Sequence, residues 1–239
     1  SACLVGSEMC IRDSLKIAGY GKANGGNFNK IVINGYGEIF ESAICKDFYG
    51  TGTAKIHGQL ATGSLKYTGD TFIENHLTAN SIDMTGKLDI KGDVNSPIIS
   101  ICGDMNILGN CKGENIKITG TINSYGNITC ENFKANGTIT IKEELCAENV
   151  DIKSCVIDIN EIHATKVIIT KPFTLGIRKK RININEIECT TIEAELLNCK
   201  KLCAHHVKLS KNCVVDSLEY SGDLELEDGC MIKELIKIV

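Results

Sequence analysis

Two cysteines and two histidines near the C-terminal end of the chain are the residue types most suited to a metal site. They are Cys199, Cys203, His205 and His206 in the segment CKKLCAHH. Thiolates and imidazoles are the ligands that Zn²⁺ prefers in proteins. The spacing C-x₃-C-x-H-H is not that of a standard zinc knuckle, and adjacent histidines on a strand point to opposite faces. We therefore predict a strand with incidental cysteines here, and no metal ligands.

The other candidate catalytic side chains are isolated histidines, or lysines and aspartates that are spaced to form ion pairs. His57, His76 and His163 each stand alone in the sequence. Lysines and aspartates such as Lys66 and Asp83 follow one another at a spacing of seventeen residues, which is typical of ion pairs between neighbouring strands on a solvated face. No two carboxylates are placed so that their pKa values have a reason to diverge. We predict no catalytic residues and no cofactor, and hence a protein that is not an enzyme.

The composition narrows the classes of protein that remain. Hydrophobic residues make up 43% of the 239 residues, but aromatics only 5%, and Trp is absent. A net charge of −4 argues against non-specific nucleic-acid binding, which needs a basic surface. No apolar run approaches the ~20 residues that a membrane-spanning helix needs. The thirteen cysteines are odd in number and irregularly spaced, which indicates a reducing compartment rather than a disulfide framework.

A strong internal repeat becomes visible when the chain is written in rows of seventeen residues that start at Ile31. Each position is named here by its offset from the first residue of its row. Offsets 0, 2, 6, 8 and 12 supply forty positions in eight rows, and Asp158 is the one charged residue among them. Glycine fills offset 4 in seven consecutive rows, namely Gly35, Gly52, Gly69, Gly86, Gly103, Gly120 and Gly137.

The repeat predicts an all-β fold. Alternation with period 2 within a row is typical of a strand, and the period of seventeen between rows means that equivalent positions stack. Glycine allows the backbone to turn where a Cβ atom would obstruct it. Asn115, Asn132 and Asn149 share offset 16, where each amide can bond to its stacked copies. We predict a single-stranded parallel β-helix, a solenoid with 17-residue coils.

The same pattern predicts where the solenoid is regular. The segment LKIAGYGK (15–22) matches IVINGYGE (31–38), so regular coils are expected over 15–171. Pro172 removes a ladder donor and begins a basic break or loop over 172–186. Residues 187–239 are expected to form irregular coils with a different period. Around Asp158, the flanking Ile157 and Ile159 predict that the alternation slips by one residue at a bulge.

At this point the residues resemble a known family. LKIAGYGKANGGNFNKIVINGYGEI, followed by stacked IKITGTI and GNI segments, is similar to the bactofilins, the bacterial polymer-forming cytoskeletal proteins. The resemblance covers 15–171 well and extends more loosely to the C-terminus. It implies a right-handed β-helix that assembles end to end into filaments without nucleotide, in the bacterial cytoplasm and often beside the membrane. The implied partners are further copies of the chain and cell-envelope or membrane-associated proteins.

Residues 1–14 do not share the alternation. The stretch LVGSEMCIRDS (4–14) resembles a translated sequencing adapter, so we predict that 1–14 are a non-native artefact. The competing interpretation is a short leader peptide, but Glu8, Arg12 and Asp13 interrupt any apolar core that it would need.

The physical case for polymerisation concerns the two ends of the solenoid. A terminal coil exposes a row of unpaired backbone groups, and most solenoids cover it with a polar cap. The sequence suggests no amphipathic capping helix at either end. The apolar residues that we predict to mediate self-assembly are Leu15, Ile17, Phe28, Ile31, Leu235, Ile236 and Ile238.

Other functions stay open at this stage. The basic run Arg178, Lys179, Lys180 and Arg181 is a possible contact for a membrane or partner, since each basic residue near an anionic leaflet contributes ~1 kcal/mol. One alternative function is a non-polymerising adaptor that binds a partner on one face, which an extended basic or aromatic ladder would favour. A less favoured alternative is a carbohydrate-active or acyltransferase-type β-helix enzyme, which would need a groove with clustered carboxylates or a catalytic histidine.

Overall fold

The computed structural model describes residues 12–172 and 181–238, and every regular element in these ranges is a β-strand. Long strands such as β1 and β8 follow the chain around more than one coil, because the backbone stays extended through the corners. The strands are β1 (Arg12–Ile56), β2 (Leu60–Ile73), β3 (Leu77–Ile90), β4 (Val94–Asn95), β5 (Ile98–Ile107), β6 (Cys111–Lys112), β7 (Asn115–Ser124), β8 (Ile128–Thr170), β9 (Arg181–Ala194), β10 (Asn198–Leu209), β11 (Val214–Tyr220), β12 (Leu224–Leu226) and β13 (Met231–Lys237).

All of these strands belong to one parallel sheet that winds into a solenoid. From Ala43 to Ile141, each coil pairs with the next at a register of seventeen residues. Phe48 lies beside Leu65, which in turn lies beside Ile82, and the same step continues through β5, β7 and β8. The predicted parallel β-helix with 17-residue coils is therefore confirmed.

The predicted apolar columns form the core. At offset 0, side chains from Ile31 to Val150 are at most 2% exposed in every row. Branched aliphatic side chains fill most of the interior. Phe48 and Phe133 are among the largest fully buried side chains.

The glycine column is required by how closely the coils approach. Gly103 has a φ of +139°, and a Cβ atom built on it would lie 2.0 Å from the carbonyl oxygen of Gly86. The other six glycines at offset 4 also have positive φ values, between +107° and +138°. An L-residue here would be strained by its own backbone as well as by the coil below.

Stacked amides hold one corner of the solenoid. The Asn132 side chain donates to Asn115 and accepts from Asn149, both at 3.0 Å. A second ladder, predicted by no argument from the sequence, runs from Asp89 through Asn106 to Asn123 with bonds of 2.6 and 2.7 Å. Each ladder links coils through polar side chains on the outer surface.

The predicted slip in the alternation is present. Ile157 and Ile159 are buried, at 0% and 2% exposure, whereas Asp158 between them faces outward. Ser154, which stands where earlier rows have glycine, is 1% exposed, and its hydroxyl accepts the Val156 N–H at 2.9 Å. The same hydroxyl donates to the Gly137 carbonyl of the preceding coil, so Ser154 bonds to both coils at the point where the faces exchange.

The coils continue beyond the break with changed steps. Strand β9 begins at Arg181, so 181–186 belong to the solenoid and not to the break, which the sequence placed at 172–186. Ile157 pairs with Ile182, a step of 25 residues, so eight more residues than a regular coil separate these partners. The next steps are 15 residues from Ile187 to Leu202 and 16 from Leu202 to Leu218. A return to 17 residues follows between β11 and β13.

Candidate self-assembly surface

The N-terminal residues predicted for self-assembly lie inside the solenoid. Ile17, Phe28 and Ile31 are 7%, 5% and 0% exposed, and Leu15 is partly buried against the same core. The alternation places them in the inward columns, where they fill the first coils. They contribute to the stability of the N-terminal coils and do not form an exposed apolar surface.

The C-terminal residues are exposed. Leu235, Ile236 and Ile238 are 50%, 38% and 43% exposed, and Met231 beside them is 62% exposed. Leu226 on β12 is also exposed, at 42%. We call these five residues, Leu226, Met231, Leu235, Ile236 and Ile238, the C-terminal apolar surface. Sequence reasoning missed Leu226 and Met231, because the periodic pattern does not reveal which positions lack a covering coil.

The strands that carry this surface pair on one side. Strand β13 pairs with β11, and β12 pairs with β10. Within residues 12–172 and 181–238, no further strand pairs with either of them. Unpaired backbone donors and acceptors on the open side of a sheet are a template for another strand. The C-terminal apolar surface therefore lies on an edge that can accept a further β-coil.

Ion pairs between the coils formed by β10 to β13 flank the surface. Lys233 contacts Asp216 at 2.7 Å, and Lys208 contacts Glu225 at 3.1 Å. A hydrogen bond to Glu225 raises the pKa of Lys208 above its ordinary value. Exposed pairs of this kind contribute little to stability. They do give the rim of the surface a fixed pattern of charges, which can orient an incoming chain.

The basic run lies mostly outside the described residues. This applies to Arg178, Lys179 and Lys180. The backbone of Arg181 pairs with Val156 at the start of β9. The contact with a membrane or partner predicted for these residues stays a prediction.

The four residues considered as metal ligands do not come together in one place, although the ring centroids of His205 and His206 lie 4.2 Å apart and the rings do not point to opposite faces as the sequence predicted. Cys199 is buried in an inward column, whereas His205 faces outward and contacts the Ser221 hydroxyl at 2.8 Å. His206 pairs with Asp223 at 3.1 Å. In the part of the chain that the structure describes, no three His, Cys, Asp or Glu side chains are grouped so that they could hold a metal ion.

A shallow groove of 480 Å³ lies on one face, beside Tyr49, Lys66 and Asp83. Lys66 and Asp83 are 3.8 Å apart, and Lys134 and Asp151 are 3.1 Å apart on the same face. These contacts confirm the predicted ion pairs between neighbouring coils. The groove is lined by one carboxylate, so it does not bring together the two acidic groups that a glycoside-cleaving site uses.

An aromatic ladder on the N-terminal coils was missed from the sequence. Tyr20 and Tyr36 stack with ring centroids 5.2 Å apart, and Phe40 and His57 stack at the same distance. Lys55 lies over the ring of Tyr36 at 5.4 Å. The signal was present, since the two tyrosines occupy the same place in the matching segments LKIAGYGK and IVINGYGE. Tyr20 is 69% exposed, so this face is available to a partner.

Comparisons with protein-family models, with curated proteins and with solved structures found no match. The described residues contain no helix of the length and apolar character needed to cross a membrane. The architecture that the structure establishes is a parallel β-solenoid with an exposed apolar edge on its C-terminal coil.

Proposed function

We propose that the chain is a non-enzymatic, self-assembling scaffold that polymerises end to end through its terminal coils, without nucleotide. The observation that carries this proposal is the coincidence of an unpaired sheet edge and exposed apolar side chains on β12 and β13. The resemblance of 15–171 to the bactofilins supports the same function. The bacterial cytoplasm, the membrane-associated partners and the cytoskeletal role belong to the proposal through that resemblance.

The contact energy can be estimated from the exposed fractions. A fully buried aliphatic side chain contributes roughly 1.5–3 kcal/mol, and those of the C-terminal apolar surface are about half exposed. Covering all five would contribute about 5 kcal/mol gross, at about 1 kcal/mol each. Association costs at least ~4 kcal/mol in lost freedom. The apolar contact alone is therefore marginal, and backbone pairing along the open edge must contribute to a stable filament.

Negative-stain electron microscopy of purified, reduced protein, without nucleotide and over a range of salt concentrations, tests the proposal. Filaments whose long axis follows the solenoid are expected. Leu235→Asp should abolish them, because it places a charge in the contact. Leu108→Asp is the matched control, since Leu108 is 54% exposed on the side of the solenoid, and it should leave the filaments intact.

Monodisperse short rods of the unmodified protein at high concentration would refute the proposal. Filaments that persist in Leu235→Asp would show that another surface mediates assembly. Ile17→Asp is not a test of the contact, since Ile17 is buried and a charge there would destabilise the first coils.

The aromatic ladder favours a second candidate function, an adaptor that binds a partner on one face. Aromatic side chains are enriched at protein interfaces, and Tyr20 and Phe40 are both exposed here. If the unmodified protein forms short rods only, cross-linking in cells of the source organism should map partner contacts to these two residues. Replacing both by Ser should remove those cross-links without changing the circular dichroism spectrum.

A further inference from the structure

Two cysteines occupy the same position in consecutive coils near the C-terminus. Strand β11 begins at Val214 and β13 at Met231, and these residues pair in register. Cys213 and Cys230 directly precede them. The Met231 N–H donates to the Cys213 carbonyl at 2.8 Å, so the two cysteine backbones are one strand spacing apart.

The turns that lead into the two cysteines are also equivalent. Asn212 has a φ of +61° and Gly229 a φ of +88°, so each cysteine follows a residue in the left-handed region. The chain therefore enters both positions from the same direction. Neighbouring strands lie about 4.8 Å apart, which falls within the range of about 4.4–6.8 Å between Cα atoms that a disulfide spans.

The thiols themselves are neighbours. The Cys230 thiol is close enough to be one of the groups that raise the pKa of the Cys213 thiol. The Cys213 thiol is fully buried and contacts the Ala194 carbonyl at 3.5 Å, whereas Cys230 is partly exposed and contacts the Ser210 carbonyl at 3.1 Å. Cys189 and Cys203 provide a contrast, because Cys203 pairs with Glu188 and is one residue out of register with Cys189.

We propose that Cys213 and Cys230 form a reversible disulfide that fastens the last coil of the solenoid under oxidising conditions, with a low-molecular-weight disulfide such as oxidised glutathione as the oxidant. The Cys230 thiolate attacks one glutathione sulfur, which forms a mixed disulfide and releases one glutathione thiolate. The Cys213 thiolate then attacks the Cys230 sulfur and releases the second. The two thiol protons pass through solvent to the two glutathiones, so two protein thiols are oxidised and one glutathione disulfide is reduced.

The second step is the slow one at neutral pH. Burial first, offset in part by hydrogen bonding to the Leu197 backbone, raises the pKa of Cys213 to about 11. The attacking species is the thiolate, so closure of the disulfide should accelerate up to about 100-fold between pH 7 and pH 9. Because little of the Cys213 thiol is ionised at pH 7, brief exposure to an oxidant should leave the pair reduced. Prolonged exposure should form the disulfide.

The disulfide would fasten the strand that carries Met231, Leu235 and Ile236. Oxidation would therefore hold the C-terminal apolar surface in its folded position, a consequence that rests on the proposed function. Formation of the disulfide and its effect on the coil do not depend on polymerisation, because both can be measured on protein that is not assembled. Failure of the disulfide and failure of the scaffold proposal are thus separate results.

The sequence allows a direct measurement. Trypsin cleaves after Lys211 and Lys233, and the peptide 212–233 contains Cys213 and Cys230 but no other cysteine. After incubation of the full chain with oxidised glutathione, this peptide should lose the mass of two hydrogens, and dithiothreitol should restore it. Amides of β13 should exchange with deuterium on the order of 10- to 100-fold more slowly in the oxidised protein, as expected for closing a loop of this length.

Two variants complete the test. Cys230→Ser should prevent both the mass loss and the slower exchange, and it leaves the buried Cys213 in place. Cys203→Ser is the matched control and should behave as the unmodified protein. The proposal is overturned if, after incubation at pH 9, the peptide keeps both thiols or glutathione stays attached to Cys230, or if the disulfide forms and β13 exchange is unchanged.

Discussion

Replacement of Tyr67 by Phe should stabilise this protein. Tyr67 is 3% exposed, follows Gly50 in the same inward column, and packs against Phe48 with ring centroids 5.9 Å apart. Its hydroxyl is buried and has no hydrogen-bond partner among the described residues. The ring fills the space that Gly50 leaves in the preceding coil, but the hydroxyl oxygen is buried without a hydrogen bond to replace those it makes to water.

The magnitude follows from the cost of an unpaired polar group. A buried donor or acceptor without a partner costs about 1–3 kcal/mol, and Phe keeps the ring while removing only the oxygen. We expect Tyr67→Phe to raise the free energy of unfolding by about 1 kcal/mol at pH 7. For a chain of this size, that corresponds to an increase in Tm of about 2–4 °C.

The pH dependence provides a second measurement. Burial first, and then the negative charge of Asp70, raise the pKa of Tyr67 to about 12 from an ordinary value of 10.0. The pKa of Tyr67 is higher in the folded protein than in the unfolded chain. The contribution of its protonation to stability is therefore fully present below pH 10 and is lost as the pH rises from 10 towards 12. The Phe variant lacks this loss. The stability difference between the two proteins should therefore widen by about 1 kcal/mol between pH 9 and pH 11.

Urea unfolding followed by far-ultraviolet circular dichroism is the suitable assay, since removing a tyrosine alters the intrinsic fluorescence. Tyr125→Phe is the control, because Tyr125 is 56% exposed, and its unfolding midpoint should match that of the unmodified protein. A Tyr67→Phe variant that is less stable at pH 7 would refute the reasoning. It would mean that the hydroxyl has a partner in solution, such as a buried water.

Two further predictions concern the glycine column and an ion pair between coils. Gly103→Ala should destabilise the solenoid by more than about 3 kcal/mol, because the new Cβ atom would meet the Gly86 carbonyl and the φ value is positive. Thermal unfolding would measure this, and Thr119→Ala, at an exposed position of the next coil, should be nearly neutral. Hydrogen bonds, that from Lys91 foremost, lower the pKa of Glu74 below its ordinary value of 4.5. The ionised carboxylate therefore stabilises the folded protein above that pH, and this stabilisation is lost as the pH falls further. Glu74→Gln should therefore reduce the loss of Tm between pH 5 and pH 3, and an unchanged acid profile would contradict this.

The regular coils could be predicted from the sequence because each one repeats the same local requirement. A column of apolar residues every seventeen positions has one arrangement that buries all of its members, and a glycine in every row marks the turn. The interruption at Asp158 could also be predicted, since a one-residue change of face is visible in the alternation itself. These features depend on neighbouring residues and on the next coil.

The steps after the break could not be predicted. The register of Ile182 against β8 depends on how the chain leaves one coil and enters the next. The alternation of apolar and polar residues on either side does not indicate that register. The same limit applies to Cys213 and Cys230, whose proximity follows from the pairing of β11 with β13. The stacked rings of Tyr20 and Tyr36 repeat in the sequence, but their contact depends on the side-chain directions at one corner.

The sequence by itself determined the fold class, the length of the coil and the set of side chains that face inward, because burial of a period-2 strand and steric exclusion at the glycines are local constraints. The tertiary structure alone decided which apolar residues at the two ends are exposed. Ile17 and Ile238 look alike in the alternation, yet one is 7% and the other 43% exposed. Exposure depends on whether another layer covers a residue, and that is a property of the assembled coils.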